Sequence, residues 1–276
     1  MRIYLLTMEL INYNDLPEWY KSNEHIKTGY RPINTINNVN DVIKSVFSIH
    51  NETFNIWSHF LGCIIFIAFM ITTIYENLHI YNKIILAGYC ACVLFCFLCS
   101  TIYHIFMCHS HKLHMDCLTI DYQGTVIHIF GVAVITIHNS FQNNMIVAYS
   151  YIFSMFIVSI IISVMIRDDN WDAPHRKLFR FIIFSINTLC LFVPIVHSCV
   201  IGTIINLVLI TFILTILING IGGVCYGFKF PEIKYSNTTL DYIGNSHNIM
   251  HITVLLGALN HYFGMYYSML IIEHKL

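Results

Sequence analysis

Two histidines four residues apart, His247 and His251 in Ser246-His247-Asn248-Ile249-Met250-His251, share one face of any helix that carries them. Imidazoles at that spacing can ligate one metal ion. A third imidazole from another element completes a three-histidine centre with one open position, the catalytic type of zinc site. His104 can supply it. Zinc lowers the pKa of water in the open position toward about 7. Asp121 is then a candidate general base, or a hydrogen-bond partner for a ligand imidazole. Ser100, one turn before His104, is a candidate partner for that water or for a substrate carbonyl. The chain has 16 histidines, so the pair alone is a weak signal. Spacing leaves a second reading open, in which the histidines hydrogen-bond one another and Asp121 across helices.

The elements that must position these groups are membrane helices. Of 276 residues, 57% are hydrophobic and 11% charged, against about 25% charged in soluble domains. That surface cannot be kept in water, and a net charge of -1 excludes a general nucleic-acid binder. Apolar runs of about 20 residues span a bilayer. Seven are predicted, near 56–75, 83–107, 118–138, 145–166, 179–198, 202–226 and 247–272, after a polar segment over 1–55. The reading is an all-α polytopic protein, a seven-transmembrane helix bundle. Twelve of the 14 Lys and Arg residues fall on the side of the amino terminus and two on the other. The positive-inside rule therefore predicts a cytosolic N-terminus and an extracytosolic C-terminus. With those directions His104, Asp121, His247 and His251 come from three helices to one depth, near the inner leaflet, and ionisable groups inside a membrane are functional suspects.

Other features have blander readings. His109, His111 and His114 form a rival cluster in a predicted cytosolic loop, where histidines are simply solvated. His128, His138 and His197 read as buried or interfacial. The ten cysteines give no disulfide framework, and Cys96 and Cys99 read as small buried hydrophobes. Val42, Ile43, Val46 and Phe47 fall at helical spacing and predict a short interfacial helix. Ser150, Ser154, Ser159 and Ser163 read as a small-residue packing face. The sequons at Asn51 and Asn237 fall on the cytosolic side and are expected to be unglycosylated.

Several separated motifs carry a resemblance. Gly29-Tyr30-Arg31-Pro32, His50-Asn51-Glu52-Thr53-Phe54-Asn55-Ile56-Trp57-Ser58-His59, Ser100-Thr101-Ile102-Tyr103-His104, Asp121-Tyr122-Gln123-Gly124, Ser246 to His251 and His261-Tyr262-Phe263-Gly264 follow in order. The chain resembles the progestin and adipoQ receptor family, also called adiponectin receptor-like or haemolysin III-related. Asn248 and Met250 stand where Gln and Phe are usual. The resemblance implies seven helices, a cytosolic amino terminus and an inner-leaflet zinc on His104, His247 and His251, with Asp121 beside the bound water. Glu52 and Asn55 carry over as motif members without assigned roles. It further implies membrane lipids as partners, through hydrolysis of a ceramide-like amide to a free fatty acid. The alternative is a receptor or lipid sensor in which zinc is structural.

Overall fold

The computed structural model describes residues 9–33, 39–168, 171, 177–236 and 238–274. Among these the regular structure is helical. The α-helices are α1 (Val39–Ser45), α2 (Thr53–Thr73), α3 (Ile80–Phe106), α4 (His111–Ser140), α5 (Met145–Met165), α6 (Lys177–Leu189), α7 (Phe192–Val200), α8 (Asn206–Phe228) and α9 (Ser246–His274). Single turns of 3-10 helix cover Tyr13–Asp15, Glu18–Tyr20 and Thr239–Asp241. One antiparallel bridge joins Ile11 to Tyr30.

Among the described residues, six stretches are long and apolar enough to cross a membrane: α2, α3, α4, α5, Ile182–Val200 and α8. α9 has 29 residues, more than the roughly 20 that a bilayer needs. It is less apolar because His247, Asn248, His251, Asn260 and His261 lie along it. Large apolar side chains such as Ile146, Phe153 and Val164 on α5 stay exposed, as lipid-facing groups must.

Four expectations need correction. The fifth span is two helices with a break at Cys190–Leu191. Pro194 explains it, because its ring clashes with the carbonyl four residues back and it has no N–H to give. α4 starts seven residues before the predicted span, and Lys112 pairs with Asp116 at 2.6 Å across its first polar turn. His111 and His114 therefore lie on a helix, and His114 is not solvated. It is buried beneath Trp19 and Tyr20 and bonds the Met107 carbonyl at 3.1 Å. On α5 the buried seam is Ala148, Met155, Ser159 and Ile162, while Ser150 and Ser154 face outward and bond their own i−4 carbonyls.

α1 turns Val42 and Ser45 inward and leaves Ile43 exposed. Asn51 is buried, so a bulky glycan does not fit there, and Asn237 lies outside the described residues. The described cysteines are free thiols, with Cys96 and Cys99 buried.

Contacts divide the chain into two compact units. The first comprises Met1–Gly62, Phe97–Asp121 and Leu217–Leu256, and it contains the candidate site. Its helices approach closely at Gly222 on α8. A Cβ there would clash with the Thr253 hydroxyl and lie 3.1 Å from the Met250 Cα on α9. Gly222→Ala is expected to cost about 1–3 kcal/mol by overpacking, read as a lower melting temperature and relieved in part by Thr253→Ala. The second unit comprises Cys63–Cys96, Tyr122–Ile216 and Gly257–Leu276. Several of its polar groups pair internally. His261 contacts the Thr136 and Thr215 hydroxyls at 3.0 and 3.2 Å, His138 contacts Asn82 at 2.7 Å, and His197 contacts the Tyr151 hydroxyl at 2.9 Å.

Candidate metal centre

α9 begins at Ser246, and its first turns place His247 and His251 one above the other. The end of α3 brings His104 against them. The three Nε2 atoms form a near-equilateral triangle, with edges of 3.2, 3.2 and 3.3 Å. His104 and His251 are buried and His247 is half-buried. Among the described residues this is the one group of three such side chains that could hold a metal ion.

The triangle is a geometry that a metal ion could occupy. Each neutral Nε2 is either a donor or an acceptor. Three atoms in mutual contact cannot alternate the two roles around an odd ring. A network of protons alone therefore leaves at least one pair facing donor to donor or lone pair to lone pair. One cation between the rings satisfies all three lone pairs. Tetrahedral ligation with Zn–N of about 2.0–2.1 Å puts the nitrogens about 3.3 Å apart, which is the observed edge. The residues present thus fit a metal ion.

Asp121 sits about three turns into α4, half-buried, within the electrostatic reach of His104 and taking a hydrogen bond from Ser100. Ser100 is buried on α3 one turn before His104. All five sequence-predicted site residues are therefore drawn into one neighbourhood. The cluster of His109, His111 and His114 is not part of it.

The sequence of residues 47–262 matches the profile of the haemolysin-III related family. The chain belongs to that family. It is 31% identical over 271 residues to "Heptahelical transmembrane protein 1" of Arabidopsis thaliana, covering 92% of this chain and 79% of the relative. It is 26% identical to "Adiponectin receptor protein" of Drosophila melanogaster, covering 96% of this chain and 60% of that relative's length. With "Progestin and adipoQ receptor family member 3" of Homo sapiens it shares 28% identity over 269 residues, covering 90% and 82%.

The family motif at the start of α2 surrounds the triad. Glu52 Oε2 lies 2.8 Å from His104 Nδ1 and 2.7 Å from Asn55 Nδ2. Asn248 Nδ2 donates to Asn55 Oδ1 at 2.7 Å. Ser58 Oγ lies 3.2 Å from His251 Nδ1, and the His59 ring stacks on His251 at 3.8 Å and on Phe97 at 4.7 Å. Ser58 was not singled out from sequence. The available signal was the run Glu52, Asn55, Ser58, His59, whose three- and four-residue steps place polar groups on one face of an otherwise apolar helix.

From sequence, Arg31 is a positive charge and a member of the Gly29–Pro32 motif, with no role assigned. It is fully buried, and its guanidinium donates to the carbonyls of His104 and Ile105, at 2.5 and 2.9 Å, and to Ser45 Oγ at 3.1 Å. A cation on the last carbonyls of a helix satisfies groups that have no intrahelical donor and complements the helix dipole. Gly29 enables this approach. Its φ of +85° is a left-handed conformation that glycine adopts freely, and its carbonyl accepts from Asn51 N at 2.8 Å. His50, beside it, is driven down to about 3 by burial, helped by the Arg31 charge. It is thus neutral at pH 7 and accepts from Glu52 N at 3.1 Å. Arg31→Ala is expected to cost about 3 kcal/mol, since hydrogen bonds to a charged group contribute about 1.5–3 kcal/mol each and a buried carbonyl loses its donor. The check is a denaturation midpoint in detergent.

The connection before α9 fixes the start of the ligand helix. Glu232 is fully buried and accepts from Ser246 N at 2.7 Å, from the Ser246 hydroxyl, and from Asn23 Nδ2 at 2.9 Å. A carboxylate at a helix N-terminus caps its free N–H groups and opposes its dipole. Asp241 takes the backbone N–H groups of Lys27 and Thr28 at 3.2 and 3.0 Å and the Thr28 hydroxyl at 2.7 Å.

Proposed function

We propose that this protein is a zinc-dependent hydrolase of membrane lipid amides, of the ceramide type, and that its activity is linked to lipid sensing. The observation that carries the reading is three imidazole nitrogens converging within 3.3 Å of one another beside a carboxylate. A zinc ion held by His104, His247 and His251 supplies Lewis acidity, both to an amide carbonyl and to water. The chain's own residues supply the proton traffic. Asp121 accepts a proton from the attacking water and delivers it to the nitrogen of the cleaved C–N bond, so a fatty acid and a long-chain amine leave. The Ser100 hydroxyl donates its single proton to the Asp121 carboxyl and holds it in place.

The Lys and Arg distribution supports a cytosolic amino terminus and an extracytosolic carboxyl terminus, which puts the site near the inner leaflet. Reporter fusions at the two ends test this orientation. The substrate test is fatty acid release from ceramide and simpler lipid amides by purified, zinc-loaded protein in detergent. No release above that of protein lacking His247 and His251 would refute the hydrolase.

A receptor or lipid sensor with a structural metal is the second reading. It is favoured by the relatives named as adiponectin receptor and progestin and adipoQ receptor proteins. It predicts that His247→Ala, His251→Ala protein loses folding and ligand response together, with no hydrolysis at any stage.

A further inference from the structure

α2 and the residue that precedes it contribute no ligand to the triad, yet their polar side chains touch two of the three rings. We infer that Glu52, the residue just before α2, with Asn55 on α2 and Asn248 on α9 behind it, is a positioning device that fixes the proton of His104 on Nδ1 and turns its Nε2 lone pair toward the metal. The inference rests on the metal reading above and concerns only how the ligands are prepared.

The direction of every bond in the chain is determined by its first member. The Gly244 backbone N–H can only donate, and it lies 2.8 Å from Asn248 Oδ1. That fixes the Asn248 amide, so Nδ2 faces Asn55 and donates to its Oδ1 at 2.7 Å. Asn55 Nδ2 is then the group that faces Glu52 Oε2, at 2.7 Å. Glu52 Oε2 thus already accepts one donor. Its second neighbour, His104 Nδ1 at 2.8 Å, completes an acceptor-only carboxylate oxygen by donating its own N–H. His104 Nε2 is left as a lone pair.

The same logic holds one turn later. The single proton of Ser58 Oγ goes to the Asn55 carbonyl at 3.0 Å. The His251 ring also bonds that carbonyl, which can only accept, and its Nδ1 lies 3.2 Å from Ser58 Oγ. His251 therefore also carries its proton on Nδ1 and presents a lone pair at Nε2. Two bare lone pairs 3.2 Å apart, imposed by side chains that are not themselves ligands, are a cation site prepared in advance. Hydrogen bonds from ligand imidazoles to carboxylates raise ligand basicity and orient the ring, and their loss costs about 10–100-fold in metal affinity.

The test is zinc affinity of the full chain by chelator competition, with histidine ring 15N spectra of metal-free protein. Glu52→Gln keeps the shape but removes the charged acceptor. Asn248→Asp cannot donate to Asn55, so Asn55 must turn and present oxygen to oxygen at Glu52. Both are expected to weaken zinc binding by about 10–100-fold and to convert the His104 signals from one Nδ1-protonated form to a tautomer mixture. Phe60→Leu, on the exposed side of α2, is expected to change neither. Wild-type affinity and an unchanged His104 tautomer in Asn248→Asp protein would overturn the inference, even if Glu52→Gln protein failed to fold. Unaltered protein that takes up no zinc would sink the metal reading itself, and is distinguished by the first titration.

Discussion

Purified His104→Ala protein is expected to hold less than about one tenth of the zinc that the unaltered protein carries, because two imidazoles on one helix are left where three closed a tetrahedral face. The ring removed comes from α3, while the two that remain are four residues apart on α9, so the substitution would break the one link that a metal ion on the triad would make between these helices. A bound metal stabilises only the folded state, by about 4 kcal/mol when its free concentration is a thousand times Kd. Unaltered protein should therefore melt higher in zinc than in chelator, and the gap should close in the variant. Arg31 holds the main chain at residue 104 rather than the ring, so the metal-free variant keeps its α3 cap and should fold. Zinc content by elemental analysis and paired melting curves decide the matter. Equal zinc in both proteins, or a melting point indifferent to chelator in the unaltered chain, would place the ion elsewhere or nowhere.

Asp121→Asn should leave zinc content unchanged and lower the turnover of lipid amides by about 10²–10⁴-fold, the usual contribution of a positioned general acid–base. The amide is close in shape to the carboxyl and keeps an oxygen for the Ser100 hydroxyl. It cannot accept a proton from water. The contrast with the first prediction is the informative part, since one variant loses metal and chemistry together and the other loses chemistry alone. Hydrolysis at the same rate in Asp121→Asn and unaltered protein, with zinc retained in both, would assign Asp121 a structural role and move the balance toward a sensor.

Much of the site was legible because charges and imidazoles are expensive inside apolar runs. His104, Asp121, His247 and His251 stood out against their surroundings, and helix direction alone brought them to one depth. The four-residue step between His247 and His251 survived folding unchanged. The roles of Ser58 and Asn248 were not legible, since spacing can mark a polar face but what a serine or an asparagine bonds there depends on its partner. Arg31 and Glu232 were hidden for another reason. Each acts from an irregular segment, where no periodicity reports what a side chain faces. In the fold, helix positions followed hydropathy, but two boundaries followed local chemistry instead. Pro194 broke the fifth span, and the Lys112–Asp116 pair extended α4 through polar residues that a hydropathy window discards.

The bond between Asn23 and Glu232 has a practical meaning for anyone who shortens or tags this chain. Glu232 grips Asn23 and the first residue of the histidine-bearing rod with the same carboxylate. A polypeptide trimmed past its twenty-third residue would lose one partner from that grip, and a cleavage between positions 23 and 28 would be felt at the imidazoles without touching them. Apparent loss of function in such a truncated protein would report a loosened foundation, and should not be taken as proof that the leading segment carries a signal of its own.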